Sequence, residues 1–136
     1  MKKVLLTGAD GFTGKYVESE LLSRGCSVVG LVYREAKDGQ VACDLTDRNA
    51  VLKCLKEIKP DYIIHLAALS FVGHSDQKAF YDVNVFGALN LLEAAKELGL
   101  ELKKVVLASS ANIYGNPENV QRISETVLPS PVNHYA

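Results

Sequence analysis

Short apolar segments alternate along the chain with segments in which apolar residues recur every three or four positions. A short, continuous apolar run bounded by turn residues is typical of a strand that is buried on both faces. Apolar residues at helical spacing, followed by a glycine, predict an amphipathic helix and its end. The predicted strands are residues 3–7, 27–33, 62–66 and 105–108, and the predicted helices are residues 13–24, 47–58 and 80–98.

Strands that alternate with helices at this spacing favour right-handed crossovers and a parallel sheet with helices on both faces. We therefore predict an α/β protein whose doubly wound sheet has about four strands in the order 3-2-1-4, which is an incomplete version of that fold. Residues 41–43 form a further short segment that fits an extended conformation. Gly, Pro and Asn dominate from residue 112 onward, so a loop is predicted there until residue 131.

The composition is that of an ordinary soluble globular protein, with 48% hydrophobic and 23% charged residues. The 136 residues fit one domain and are enough to bury a core. A net charge of −1, with scattered basic residues, gives no basis for binding nucleic acid or an anionic membrane. No apolar run approaches the roughly 20 residues that span a bilayer or forms a secretory signal, so we expect a cytoplasmic protein.

The three cysteines fit that expectation. Cys26, Cys43 and Cys54 are odd in number, lie far apart, and form no CxxC pair with a nearby His. A buried thiol that behaves as a small apolar side chain is the favoured interpretation of each, and we expect no metal site.

The stretch from Thr7 to Gly14, TGADGFTG, carries the most informative pattern. It follows a predicted strand and opens a predicted helix, the context in which a glycine pattern indicates a phosphate site. Gly8 allows a tight turn, Gly11 lets the backbone approach a pyrophosphate, and Gly14 lets helix and strand pack closely. The helix N-terminus offers free N–H groups and a partial positive charge to the phosphates. The stretch predicts a dinucleotide cofactor, and a glycine-rich turn without a ligand is the alternative.

This stretch resembles the TGxxGFxG signature of the extended short-chain dehydrogenase/reductase family, and the match includes Phe12. The resemblance continues along the whole chain. It implies a Rossmann-type fold and an NAD(P)-dependent enzyme. In this turn it implies the following cofactor-binding residues: Gly8, Gly11, Phe12, Thr13 and Gly14.

Two further elements resemble cofactor-binding elements of the same family. Residues 44–47, DLTD, are similar to a DxxD element in which Asp44 and Leu45 would meet the adenine, whereas Asp47 is explained as a helix N-cap. Residues 65–68, HLAA, are similar to an HxAA element whose small side chains leave room for the cofactor. That element implies cofactor contacts from Leu66, Ala67 and Ala68. His65 itself is interpreted as a core histidine without a catalytic role.

The resemblance also implies a residue that links two secondary-structure elements. In addition, it implies two candidate catalytic residues. Asn84 matches a cofactor-site Asn that holds the long helix against the active-site strand. Residues 109–115, SSANIYG, resemble the family's serine element, which places Ser110 where a Ser or Thr hydrogen-bonds the reacting substrate oxygen. Tyr135 follows Pro129 and Pro131 at the distance of the YxxxK tyrosine, the family's general acid/base.

The end of the second predicted strand bears on the choice of cofactor. NAD-preferring enzymes usually carry an Asp or Glu there, which bonds the ribose 2′-hydroxyl. Val32 stands at that place, and Arg34 is placed to face a 2′-phosphate, although Glu35 is adjacent. We therefore expect NADP in preference to NAD.

The substrate class follows from the resemblance alone, since most extended members act on nucleotide-activated sugars. Their reactions are 4-epimerisation, 4,6-dehydration and 4-keto reduction. A 4,6-dehydratase usually carries a Glu two residues after its catalytic Ser or Thr, and Asn112 holds that place. We therefore expect a 4-keto-6-deoxy-hexose reductase or a 4-epimerase, and the sequence around Arg34 and Ser110 favours the reductase.

The family's YxxxK lysine and its substrate-binding residues would lie beyond Ala136. We therefore expect residues 1–136 to be the N-terminal part of an NAD(P)-binding domain that is inactive alone. An unpaired strand edge would then promote self-association. The alternatives are a non-catalytic NADP(H)-binding module and an inert gene fragment, but Ser110 and Tyr135 at catalytic spacing favour an enzyme.

Overall fold

A computed structural model describes residues 1–70, 76–118 and 121–136. Within these residues, five short strands form one parallel sheet. Their bounds are Lys3–Thr7 (β1), Ser27–Val32 (β2), Gln40–Ala42 (β3), Tyr62–His65 (β4) and Lys104–Leu107 (β5). The doubly wound, Rossmann-type α/β fold predicted from the sequence is thus confirmed.

Helices connect the strands and cover both faces of the sheet. Their bounds are Phe12–Ser23 (α1), Arg48–Ile58 (α2), Gln77–Phe80 (α3) and Gly87–Glu97 (α4), with a π-helical segment at Tyr81–Phe86 and a 3₁₀ helix at Ala111–Tyr114. The long helix predicted over residues 80–98 therefore begins earlier and contains a π-helical stretch, which apolar spacing does not reveal. In the described part of the chain, no helix combines the length and the apolar character needed to cross a membrane.

The strand order is β3-β2-β1-β4-β5, so the predicted order was wrong. Residues 40–42 are a full strand that pairs with β2, and they occupy the place that the prediction gave to residues 62–66. The latter segment, β4, pairs with β1 on its other side. Residues 41–43 were predicted to be extended but were not counted as a strand of the sheet, because three residues show too little alternation. Leaving this strand out shifts every later strand by one place. Strands β2 and β3 lie on one side of β1, whereas β4 and β5 lie on the other. The order in which the strands are added therefore reverses between β1 and β4, which is the topological switch point of this fold.

Successive residues of β1 pack into the two halves of the core, which lie on opposite faces of the sheet. Leu5 packs in a cluster with Ile63 and with the buried faces of α2 and α4, whereas Leu6 packs on the opposite face with Ala9 and Val32. Both leucines have no exposed surface. Because successive strand side chains point to opposite faces, this pattern requires helices on both sides of the sheet.

Strand β5 forms an edge of the sheet in the described part of the chain. Its side chains are only partly covered, and Val106 and Leu107 are 46% and 48% exposed. An exposed apolar edge is a template for pairing with another strand. Self-association through β5 stays a prediction.

Helix α2 begins at a well-formed cap, as its sequence predicts. The Asp47 carboxylate accepts hydrogen bonds from the N–H groups of Asn49, at 2.9 Å, and Ala50, at 3.1 Å. These are two of the donors that a helix start leaves without an intrahelical partner. The cap fixes the point at which the chain leaves the turn after β3.

Replacing this cap tests its contribution to stability. We expect Asp47→Ala to lower the free energy of unfolding by about 1 kcal/mol, because two backbone donors lose their acceptor. Chemical denaturation followed by circular dichroism measures the change. Asp38→Ala removes the same charge from an exposed turn position and is expected to stay within about 0.5 kcal/mol of the original. Equal effects of the two substitutions would contradict the capping role.

Candidate functional site

A cavity of about 450 Å³ opens at the carboxyl ends of the strands, beside the switch point between β1 and β4. This is the place where ligands bind in open α/β sheets, and the volume lies within the range of small-molecule sites. The cavity wall is built from the last two residues of β2, from the segments that follow β1, β2, β3 and β4, and from one residue of the π-helical segment. The lining residues are Gly8, Asp10, Gly11, Leu31, Val32, Tyr33, Cys43, Asp44, Leu45, Thr46, Leu66, Ala67, Ala68, Leu69 and Val83.

The turn after β1 and the first turn of α1 each contain one position that admits only glycine. Gly8 has φ +69°, and a Cβ atom on it would lie 2.9 Å from the backbone nitrogen of Ala67. A Cβ atom on Gly14 would lie 2.1 Å from the carbonyl oxygen of Gly8. The roles predicted for these two glycines, a tight turn and close helix–strand packing, are what this geometry requires.

Helix α1 starts at this turn with its first N–H groups uncapped by a side chain. Gly11 is the N-cap residue, in extended conformation with ψ 168°, and it carries no side chain that can accept a hydrogen bond. The residue also lines the cavity. An anion placed there would meet free backbone donors and the positive end of the helix dipole.

Thr7 joins the glycine turn to the segment after β4 through its hydroxyl group. Its Oγ1 atom accepts hydrogen bonds from the N–H groups of Leu66, at 3.2 Å, and Ala67, at 3.0 Å. The same oxygen lies 2.7 Å from Nδ1 of His65. Because both lone pairs of the hydroxyl accept hydrogen bonds, its O–H donates to Nδ1, which assigns the neutral imidazole with its proton on Nε2.

His65 is therefore a structural residue, as its sequence context predicts. It is only 6% exposed, and Thr7 has no exposed surface. Burial lowers the pKa of His65 below its ordinary value of 6.5, because the charged imidazolium would lose its hydration. The histidine stays neutral and holds the Thr7 hydroxyl in place.

The turn after β3 presents a carboxylate to the cavity. Oδ1 of Asp44 accepts hydrogen bonds from the backbone N–H of Thr46, at 2.9 Å, and from its hydroxyl, at 2.7 Å. The Asp44 carbonyl accepts a further bond from the N–H of Asp47 at 3.1 Å. The carboxylate is thus fixed by its own turn, and Leu45 beside it is buried.

Asn84 ties the π-helical segment to the cavity wall. Its side-chain oxygen accepts from the N–H of Leu69 at 2.8 Å, and its amide nitrogen donates to the Leu69 carbonyl at 3.0 Å. The partner is therefore the segment after β4, which corrects the expected tie to the active-site strand. Val83, next to Asn84, lines the cavity. π-Helical turns often occur at functional sites, and here one places these neighbouring residues on the same wall.

Tyr33 and Arg34 directly follow β2, and Tyr33 lines the cavity. The Arg34 guanidinium lies 4.8 Å from the centre of the Tyr33 ring, a cation–π arrangement. Tyr33 is 58% exposed. An exposed aromatic ring with a fixed cation beside it can meet a planar or anionic group of a ligand.

Both predicted catalytic residues lie apart from this cavity wall as far as the chain is described. Ser110 caps the 3₁₀ helix, and its Oγ accepts from the N–H of Asn112 at 3.2 Å. The Tyr135 ring lies 6.0 Å from that of Phe80 and borders a second hollow, which its neighbour His134 also lines. The structure thus gives each residue a local setting, and their catalytic roles stay predictions.

Seven of the predicted cofactor residues line the cavity: Gly8, Gly11, Asp44, Leu45, Leu66, Ala67 and Ala68. Five others are outside the lining formed by the described residues: Phe12, Thr13, Gly14, Arg34 and Asn84. Phe12 is 82% exposed and packs edge-on against Tyr16, with ring centres 5.3 Å apart. Its cofactor contact stays a prediction.

Sequence reasoning missed several residues of the site. Thr7 was visible only as part of the glycine signature, and no pattern announces that its hydroxyl bonds two backbone N–H groups and a histidine. Asn90 hydrogen-bonds the turn after β3, and the sole signal for it is the spacing Asn84, Gly87, Asn90 along one helix face. Tyr33, Cys43 and Val83 also line the cavity unpredicted.

Cys43 behaves as the sequence suggests, although it touches the cavity. It is 5% exposed, and burial together with the neighbouring Cys54 thiol raises the pKa of Cys43 to about 12. A thiol with so high a pKa is a poor nucleophile at neutral pH. The three cysteines are free thiols.

Residues 4–136 match the family model described as the NAD dependent epimerase/dehydratase family. Over 98% of its length the chain is 39% identical to GDP-6-deoxy-D-talose 4-dehydrogenase of Aggregatibacter actinomycetemcomitans, of which it covers 44%. It is 34% identical to GDP-mannose 4,6-dehydratase of Vibrio cholerae, with 99% of this chain and 42% of that protein aligned.

The comparison with solved structures agrees with the sequence comparison. UDP-glucose 4-epimerase of Thermus thermophilus, solved in complex with NAD, superposes with a TM-score of 0.88 and 33% identity. The alignment covers 98% of this chain and 46% of that structure. The chain thus spans less than half the length of these similar proteins.

The buried Thr7–His65 pair predicts how stability depends on pH. An unfolded chain binds a proton on His65 near pH 6.5, whereas the folded chain binds it only at lower pH. The contribution of this group to stability is therefore complete above pH 6.5 and is lost as pH falls below it. We expect His65→Gln to flatten the dependence of the unfolding free energy on pH between 6.5 and 5, measured by urea denaturation.

His134→Gln removes an exposed histidine and serves as the matched control, with the original pH dependence expected to remain. A pH dependence that is the same with and without His65 would show that its protonation is not linked to folding.

Proposed function

The chain belongs to the NAD dependent epimerase/dehydratase family, and from this premise we propose that it binds a nicotinamide dinucleotide in the cavity at the switch point. The observation that carries the proposal is the cavity itself, whose wall combines the glycine turn with the segments after β3 and β4. Residues 1–136 would then form the N-terminal part of an NAD(P)-binding domain.

The residues present fit such a ligand. The uncapped start of α1 at Gly11 suits the pyrophosphate, because its N–H groups and dipole favour an anion. The Asp44 carboxylate is fixed by its turn and suits the adenine amine as a hydrogen-bond acceptor. Ala67 and Ala68 line the wall with small side chains and leave room for the ligand.

We propose NADP as the preferred form. Val32, at the end of β2, is buried and offers no carboxylate to a ribose 2′-hydroxyl. The guanidinium of Arg34 is anchored on the Tyr33 ring, which lines the cavity, and can pair with a 2′-phosphate. The similar Thermus thermophilus enzyme was solved with NAD, so the preference needs a direct test.

Substituting Arg34 tests the preference. We expect Arg34→Ala to weaken NADPH binding by roughly ten- to a hundredfold, because hydrogen bonds to charged groups contribute about 1.5–3 kcal/mol. Binding of NADH is expected to change little. Isothermal titration calorimetry with NADPH and with NADH measures both affinities and their ratio. Arg24→Ala, which removes an exposed ion pair with Glu20, is the control. An equal loss of affinity for both dinucleotides would contradict this role.

The proposed reaction is hydride exchange at carbon 4 of a nucleotide-activated sugar. The similar GDP-6-deoxy-D-talose 4-dehydrogenase favours a 4-keto-6-deoxy-hexose reductase, the direction in which a ketone becomes a hydroxyl. The similar Thermus thermophilus epimerase keeps 4-epimerisation as the second candidate. Dehydration is disfavoured because Asn112 has an amide, which cannot transfer a proton as a carboxylic acid does.

The chemistry divides between the cofactor and two side chains. A dinucleotide bound in the cavity would be the source or the acceptor of the hydride. In the reductive direction Tyr135 gives its phenolic proton to the oxygen that becomes the hydroxyl, and Ser110 donates a hydrogen bond to that oxygen. In the oxidative direction the same proton returns to Tyr135.

Removing the phenolic hydroxyl tests the enzymatic part of the proposal. Because residues 1–136 alone are expected to be inactive, the substitution is made in a longer polypeptide that adds the family's lysine and substrate-binding residues. There we expect Tyr135→Phe to lower kcat about 10²- to 10⁴-fold, while dinucleotide affinity stays within about twofold. The assay follows NADPH consumption with a GDP-linked 4-keto-6-deoxy-hexose as substrate. Tyr16→Phe, at an exposed position on α1, is the matched control.

Three outcomes separate the candidates. Full activity of Tyr135→Phe would contradict its acid/base role. Epimerisation of UDP-glucose without activity on the keto sugar would select the epimerase. Dinucleotide binding without turnover of either sugar by the longer polypeptide would select a non-catalytic module.

A further inference from the structure

Helix α4 reaches the cavity wall through one amide side chain. Nδ2 of Asn90 donates a hydrogen bond to the carbonyl of Leu45 at 2.9 Å and lies 3.4 Å from the carbonyl of Thr46. These two carbonyls belong to the turn after β3, which is 44 residues or more away in sequence. The two hydrogens of the amide thus serve neighbouring peptide groups of one turn.

The helix backbone approaches the same turn closely. Gly87 is buried, and a Cβ atom on it would lie 3.2 Å from Cβ of Leu45. Three residues along a helix return to the same face, so Gly87 and Asn90 both face this turn. Leu45 is consequently clamped, with its side chain against Gly87 and its carbonyl against Asn90.

The clamped turn is the one that holds Asp44. The Asp44 carboxylate takes its orientation from two hydrogen bonds with Thr46, whose own carbonyl lies beside Asn90. A change at Asn90 therefore reaches Asp44 through Thr46, without any contact between Asn90 and a ligand in the cavity. The amide itself is outside the cavity lining formed by the described residues.

We propose that Asn90 is a positioning residue for the adenosine half of the dinucleotide, which it serves by fixing the Asp44–Thr46 turn. The inference rests on the proposed function, since it presumes that this turn receives the adenine. A side chain on α4 thereby sets the affinity of a site built by the loops after the strands.

The experiment uses the full chain and two ligands, ADP as a probe of the adenosine half and NADPH as the whole dinucleotide. We expect Asn90→Ala to weaken both by the same factor, roughly three- to tenfold, because one ordinary hydrogen-bond contribution is lost. Asn90→Asp should weaken them at least as much, because a carboxylate cannot donate to the two carbonyls. Calorimetric titration measures all affinities.

The matched control is Glu97→Ala, which removes the ion pair between Glu97 on α4 and Arg48 on α2 and leaves the turn untouched. Its ADP affinity is expected to stay within about 1.5-fold, as for an exposed ion pair. A double-mutant cycle with Asp44→Ala then separates positioning from a general structural effect. If Asn90 acts through the turn, Asn90→Ala adds no further loss once Asp44 is removed.

Each result decides the inference. Equal ADP affinity of the original chain and Asn90→Ala would overturn it, and so would additive losses in the double-mutant cycle. If the original chain binds neither ADP nor NADPH, the proposed function falls first and this inference falls with it. Weakened and non-additive binding, with the Glu97→Ala control unchanged, is the result that we expect.

Discussion

The structure depends on a direct contact between two pieces of backbone at the centre of the sheet. The turn after β1 lies against the segment after β4 so closely that Gly8 has no room for a side chain beside Ala67. The Thr7 hydroxyl bridges the same two segments and donates a hydrogen bond to the neutral, buried His65. This contact holds β1 and β4 side by side, at the topological switch point of the sheet where the cavity opens.

The helices contribute to the cavity by their ends and by single side chains. Helix α1 presents an N-terminus without a capping side chain, and it packs against the turn only because Gly14 carries no Cβ atom. The π-helical segment and α4 hold two of the cavity walls through Asn84 and Asn90. The site therefore consists mostly of backbone and apolar side chains, with a few polar groups held by hydrogen bonds from outside the cavity, as is usual for small-molecule sites.

The extent to which the sequence predicted this arrangement differs between its parts. The strands, most helices and the Asp47 cap follow from apolar spacing and turn residues, because these reflect local burial and local hydrogen bonds. The strand order did not follow, because β3 has only three residues and its pairing is set by β2 rather than by its own pattern. The π-helical segment could not be predicted from the sequence either. It is held to the cavity wall by the Asn84–Leu69 hydrogen bonds, which join residues that are distant along the chain.

The candidate site shows the same division. Motif resemblance identified seven residues of the cavity wall, since their place in the sequence is tied to the ends of strands. It missed Thr7 and Asn90 as positioning groups, because their partners lie 58 and 45 residues away and only the folded chain brings them together. It named Ser110 and Tyr135 through family likeness alone, so their roles await the kinetic tests.

The account depends most on the claim that this cavity is the dinucleotide site. Amide chemical-shift mapping of the ¹⁵N-labelled full chain during titration with NADPH tests that claim most directly. We predict that the largest shifts arise in three segments: the turn at Gly8 and Gly11, the turn at residues 44–46, and residues 66–69. Saturable binding with its largest shifts elsewhere, or no binding at millimolar NADPH, would contradict the account.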